Sequence, residues 1–309
     1  TFLSGWNPNG AGATSPNPTG WATLSGLSVF TLFHMGVLQT WFVLGLLLAG
    51  SAGVWRLSAV FTSTRARIAA LLVYSLRPIV SGAMSGGRLT VIVVYAATPW
   101  LLHRTRRASG IETADPGSAE LDVADGVIDL TPDERARRIL AAALVLALAV
   151  AFAPVMLPLA VLLALVVALG TVLARGSLAT AGWSLVAGLG AAAGAALLNL
   201  PWITSWTWEG VVGAPPLGEA GLGLVPLASV EIGSTDFAAL ALALYLPVFA
   251  GVMLARAWRL TWAIRSALMV LVFGSIAVLA DAGSIPIDMP EAGVLLVPVA
   301  LGLAISAAG

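Results

Sequence analysis

The sequence predicts an all-α protein, a polytopic transmembrane helical bundle with about nine membrane crossings. Three observations carry that expectation. Of 309 residues, 59% are hydrophobic and 10% are charged, against about 25% charged in an average soluble domain. Mean hydropathy is +0.97, more apolar side chain than a soluble fold can keep from water. The apolar residues also come in long runs, separated by short stretches rich in Arg, in acids, or in Gly and Pro. Disorder, collagen-like repeats and a disulfide-built module are excluded by the same figures. Net charge is zero, 15 basic against 15 acidic residues, so no basic field exists to hold nucleic acid. Cysteine is absent, and two histidines, His34 and His103, are too few and too far apart for a zinc motif.

Every basic residue is Arg, and position sorts the charges. Arg56, Arg65 and Arg67, then Arg104, Arg106 and Arg107, then Arg135, Arg137 and Arg138, and later Arg175, Arg256, Arg259 and Arg265 fall in clusters. Seven acids, Glu209, Glu219, Glu231, Asp236, Asp281, Asp288 and Glu291, share two loops without any Arg. Cytoplasmic loops collect basic residues, which puts the Arg clusters inside and those two loops outside. The localisation expected is the cell membrane, crossed many times, with membrane lipid as a partner.

The elements follow in order. Residues 1–20 carry turn chemistry and no charge, and lack the basic start of a signal peptide. Residue 1 is Thr and the last residues stop inside an apolar run, so the chain reads as an excerpt of a longer protein. Trp21 to Trp55 exceeds one span, so Trp21 to Met35 is expected as an interfacial or re-entrant helix before a span beginning near Val37. From Arg67 to Arg104 the chain returns to the same side. The break "SGAMSGG" (81–87) makes that a tight hairpin of two pieces of about 15 residues each. Residues 139–174 form a second hairpin, hinged where Pro154 and Pro158 interrupt the helix. Ser177–Leu200, Phe237–Ala255, Ser266–Ala280 and 292–309 supply the other crossings. "LTPDERARR" sets Thr131 as helix N-cap and Pro132 at the first position, with acids in the first turn. Gly190 and Gly194, extended one turn back by Ala187 and Ala191, allow close helix approach. The whole, 1–309, is expected as one membrane module, with a flexible acidic cytoplasmic loop at 108–134 and an outer loop at 201–236.

Candidate functional residues stand out against the oil. Arg77 and Arg88 lie in apolar sequence, where an Arg marks a substrate or ion pathway. Guanidinium grips phosphate in bidentate fashion. Arg88, beside its glycines, is the stronger candidate for a lipid-linked phosphate at the outer hairpin tip; the bland alternative is an Arg that snorkels or sits at a helix end. In the outer loop Trp206 and Trp208 stand beside Glu209, either as an aromatic belt or as a stacking platform for sugar. Asp236 and Glu231 flank Ser234 and Thr235, as a base, as ligands of a divalent cation, or simply as solvated acids. Arg77, Arg88, Trp206, Trp208, Glu209 and Asp236 are thus the substrate-binding candidates. No catalytic residue is assigned, no metal motif appears, and no cofactor is evident beyond that divalent cation. P-loop, dinucleotide, nucleophile-elbow and sugar-nucleotide motifs are all missing.

"WNPNGAGATSPNPTGW", the Arg77-Pro78 pair, the Ser85-Gly86-Gly87-Arg88-Leu89 turn and "AVAFAP" (149–154) together resemble the membrane region of actinobacterial family 2 glycosyltransferases. The resemblance covers about residues 5–215. It implies a GT-C-like polytopic module following a cytosolic nucleotide-sugar domain that this sequence does not include. It transfers no catalytic residue. Two functions follow from it: a module handling polyprenyl-phosphate-linked sugar and a glycan acceptor at the outer face, or a non-catalytic anchor, export path or scaffold for the attached domain. A secondary transporter ranks last, since internal repeats and acids within spans are missing. The catalytic version expects Arg88, Glu209 and Asp236 to converge on one outer cavity.

Overall fold

A computed structural model describes residues 19–61, 63–111, 129–174, 176–200, 202–212, 231–232, 235–236, 238–256 and 258–309. The chain is an all-α bundle. Among the described residues its helices are α1 (Thr19–Ser28), α2 (Met35–Leu57), α3 (Thr64–Ser75), α4 (Ile79–Ser85), α5 (Leu89–Ala108), α6 (Pro132–Val150), α7 (Met156–Leu173), α8 (Leu178–Leu198), α9 (Trp208–Val212), α10 (Ala238–Leu254), α11 (Trp258–Asp281) and α12 (Ala292–Ala308). One two-residue antiparallel ladder pairs β1 (Glu231–Ile232) with β2 (Thr235–Asp236). The expected acidic loop falls largely outside the described residues, at 112–128, as do the opening turns at 1–18 and the outer-loop stretch 213–230.

Among the described residues, five stretches are long and apolar enough to cross a membrane: Met35–Val60, Thr64–Ser85, Met156–Leu173, Leu178–Leu198 and Trp258–Asp281. The other segments of the expected nine-crossing scheme, α5, α6, α10 and α12, are also helical; they are shorter or carry arginines at one end. Large apolar side chains face outward from the bundle, among them Trp41, Leu48, Leu144 and Leu148. A surface of that kind belongs in lipid, and this is a membrane protein.

Local sequence explains most boundaries. Thr131 adopts an extended backbone and its side chain accepts from Glu134 N at 3.3 Å, with Pro132 next, so α6 begins where its cap dictates. The α6–α7 hinge occupies residues 151–155 and takes in Pro154, while Pro158 sits harmlessly in the first turn of α7. The first hairpin breaks differently from expectation. Helix α4 runs through Gly82 and Ala83 to Ser85, and the chain bends at two places, 76–78 and 86–88. Pro78 explains the first, since its ring disfavours the helical region for Arg77 directly before it. Gly87, at φ +65°, explains the second.

Packing depends on small residues. A Cβ on Gly50 would lie 2.4 Å from the Tyr95 ring, and one on Gly53 would lie 2.8 Å from Trp100. That is how α2 and α5 close up, with Trp100 Nε1 donating to Ala49 O at 2.7 Å. Helix α8 lies against both α6 and α7, and Ala187, Ala191 and Ala195 are buried there. Gly190 approaches Ile139, and Gly194 approaches Ala143. Helix α12 is buried from Gly293 to Ser306 and packs against α3, α5, α10 and α11. A helix apolar on every side finds its place inside protein.

Arg265, grouped by sequence with the inner cluster, is 1% exposed. It lies in α11 with its Cζ 5.2 Å from the Trp262 ring centroid, and its Nε and Nη2 donate to Thr171 Oγ1 at 3.2 and 3.0 Å. Replacing Thr171 with Val keeps the shape and removes that acceptor. The expected cost is about 1–3 kcal/mol, read as a lower unfolding midpoint of the full chain in detergent.

Candidate functional site

Arg88 and the Arg104–Arg107 group stand at opposite ends of α5, about 30 Å apart along a 20-residue helix. The arginine-rich end also holds Arg56 at the end of α2 and Arg65 and Arg67 at the start of α3. The other end gathers the 86–88 turn, the α6–α7 hinge, the end of α8, residues 202–212 and the α11–α12 connection. Asn199 helps lock this end. It is buried and donates from Nδ2 to Ala195 O at 2.8 Å and to Ala147 O at 3.2 Å, and its Oδ1 accepts from Thr19 Oγ1. Gly20 N donates to Ala151 O at 3.0 Å, so α1 is pinned across the hinge.

Arg88 occupies the N-cap position of α5, and Glu291 that of α12. Their side chains form an ion pair through Nη1 and Oε2. The Arg88 side chain is 11% exposed and that of Glu291 27%, so the pair sits at a mouth rather than in the core. The two line a cavity of about 260 Å³, walled further by Thr90, Pro154, Gly210 and Met289. Both helices point their N-termini, hence the positive ends of their dipoles, toward this end.

A second cavity of about 520 Å³ opens on the other side of the same turn. Its wall is largely apolar, with Trp21, Leu38, Phe42, Met84, Leu89 and Ile92 among the side chains. Gly87 and Leu89 line this groove while Arg88, between them, lines the polar cavity. Charge and oil therefore meet at one three-residue turn.

The other candidates disperse. Arg77 is buried at the α3–α4 bend, its Cζ 4.9 Å from the Tyr245 ring centroid, and lines neither cavity. Trp206 is half-buried and meets Trp202 edge-on, with centroids 5.1 Å apart. Trp208 is exposed and donates from Nε1 to Asp288 O at 2.9 Å, which ties α9 to the α11–α12 connection. Glu209 is exposed; its helix contributes Gly210, Val211 and Val212 to the polar cavity, but Glu209 does not line it. Asp236 pairs with Glu231 in the short ladder through the backbone, and its side chain lies outside the described residues, as does Ser234. The expected meeting of Arg88 with Glu209 is not formed. Among the described residues, Glu291 is the acid that meets Arg88. Among the described residues, no three acidic or histidine side chains gather as a metal site.

In the sequence Glu291 stands only as one of seven outer acids. Its signal was position, as a lone acid directly before a helix that is apolar throughout. Compared with known proteins, the chain matches no family model, no curated protein and no solved structure.

Proposed function

We propose that this chain is the membrane module of a cell-envelope glycosyltransferase in the plasma membrane, and that it holds a polyprenyl-phosphate-linked sugar at the outer face. The observation that carries the reading is the Arg88 turn. A guanidinium and two helix N-termini favour phosphate on one side, and an apolar groove suits a prenyl chain on the other. The family resemblance of the loop, turn and hinge motifs agrees with that assignment. Trp208 and α9, beside the polar cavity, stand where the sugar would emerge. A phosphate must compete with Glu291 for Arg88, so occupancy is set by the pair and not by Arg88 alone.

Farnesyl phosphate is a short probe with both chemistries. Titrated into the full chain in detergent, it is expected to bind at least tenfold more tightly than farnesol and than inorganic phosphate. Ser25 is exposed on α1 and lines the groove. Replacing it with Trp fills the groove from its open side and is expected to weaken farnesyl phosphate about tenfold while leaving inorganic phosphate unchanged. Equal binding of farnesol would leave the phosphate without a role, and the scaffold reading would then stand in its place.

A further inference from the structure

A separate site lies at the arginine-rich end. Arg104 and Arg107, from the last turns of α5, and Arg137 and Arg138, from the first turns of α6, line one cavity of about 320 Å³ together with Glu134 and Ala141. Among the described residues, four cationic groups line this cavity beside one carboxylate. That carboxylate is engaged, since Glu134 Oε1 accepts from Arg138 Nη2, and Arg138 Nη1 also donates to Arg107 O at 2.8 Å. Arg138 is thus held as part of the wall, and Arg137 is exposed at the rim. The guanidinium groups of Arg104 and Arg137, brought into one concavity from two helices, favour an anionic occupant.

The surroundings say which anion. From Arg137, residues 140, 144 and 148 follow at helical spacing along one face of α6. Leu140, Leu144 and Leu148 are 61%, 62% and 58% exposed. The cavity therefore sits at the head of an outward-facing leucine stripe, which in a membrane protein runs beside acyl chains. We infer that this cavity binds the phosphate headgroup of an anionic membrane lipid, with an acyl chain along Leu140, Leu144 and Leu148. The site shares no lining residue with the Arg88 cavity.

The test uses the full chain purified in a neutral detergent, with retained lipid counted by native mass spectrometry. The probes are short-chain phosphatidylglycerol, phosphatidylcholine of the same chain length, and glycerol phosphate. Each Arg near a membrane surface is worth about fivefold in attraction to anionic lipid. The double variant R104Q/R137Q is therefore expected to bind phosphatidylglycerol about thirtyfold more weakly than wild type. The pair R256Q/R259Q removes the same charge from residues that do not line the cavity and is expected to leave binding unchanged. R137Q alone changes an exposed side chain, so its expected loss of about fivefold stands even if the double variant fails to fold. The inference is overturned if phosphatidylcholine binds as well as phosphatidylglycerol, or if the two double variants lose binding equally. It is overturned too if glycerol phosphate binds as tightly as the lipid, or if R137Q binds as wild type does.

Discussion

Replacing Gly188 with Ala is expected to lower the unfolding midpoint of the full chain in detergent by an amount equivalent to about 3 kcal/mol, and Gly188→Leu to prevent accumulation of folded protein. A Cβ at Gly188 would lie 2.2 Å from the Cβ of Ala164, so α7 and α8 must separate to admit it. Separation loses dispersion contacts along both helices, which is the main attraction where lipid supplies no hydrophobic drive. The clash is one methyl against another. Removing the partner methyl leaves Ala164 Cα at 3.7 Å as the nearest atom, an ordinary contact. The double variant G188A/A164G moves a glycine from one helix to the other at no net change in helix propensity. It is expected to recover to within about 1 kcal/mol of wild type, and a double variant as unstable as G188A would show that the helix contact is not the cause.

The second large effect is at Arg88. Arg88→Leu leaves the Glu291 carboxylate beside an apolar helix end without its guanidinium, at a cost of about 2–3 kcal/mol. Glu291→Gln keeps a hydrogen-bond acceptor for Arg88 and is expected to cost about 1 kcal/mol. R88L/E291L removes both charges and is expected to be more stable than R88L alone, since the unpaired carboxylate rather than the lost bond is the larger penalty. Thermal midpoints for the three variants check the order.

Much of this architecture was legible because its causes are local. Thr131 and Pro132 announce α6 within four residues, Pro154 marks the hinge, and the Gly86-Gly87 pair places the turn that presents Arg88. The Gly190 and Gly194 pattern announced close packing on α8 but not Gly188, whose neighbour Ala164 lies on another helix. Arg77 and Arg88 looked alike in sequence, as cations within apolar runs. Their fates diverge because a bend at Pro78 buries one against Tyr245 and a turn at Gly87 delivers the other to a cavity. Arg265 falls by sequence in the inner Arg cluster with Arg256 and Arg259, yet its Thr171 partner lies 94 residues away in sequence. Glu291 is 203 residues from Arg88, and no local spacing encodes that pairing. The site was readable as a residue type and a turn, and its partner acid only after the bundle had closed.

Arg88 is proposed to hold a lipid-linked phosphate in competition with Glu291. The most direct measurement is farnesyl phosphate affinity for three forms of the full chain: wild type, R88L and E291Q. Competition requires opposite signs: R88L loses binding at least tenfold, while E291Q, freed of the competing carboxylate, binds more tightly than wild type by several fold. A pair that serves only to hold the helix ends together weakens binding in both variants or in neither, and that result would rule out competition at Arg88.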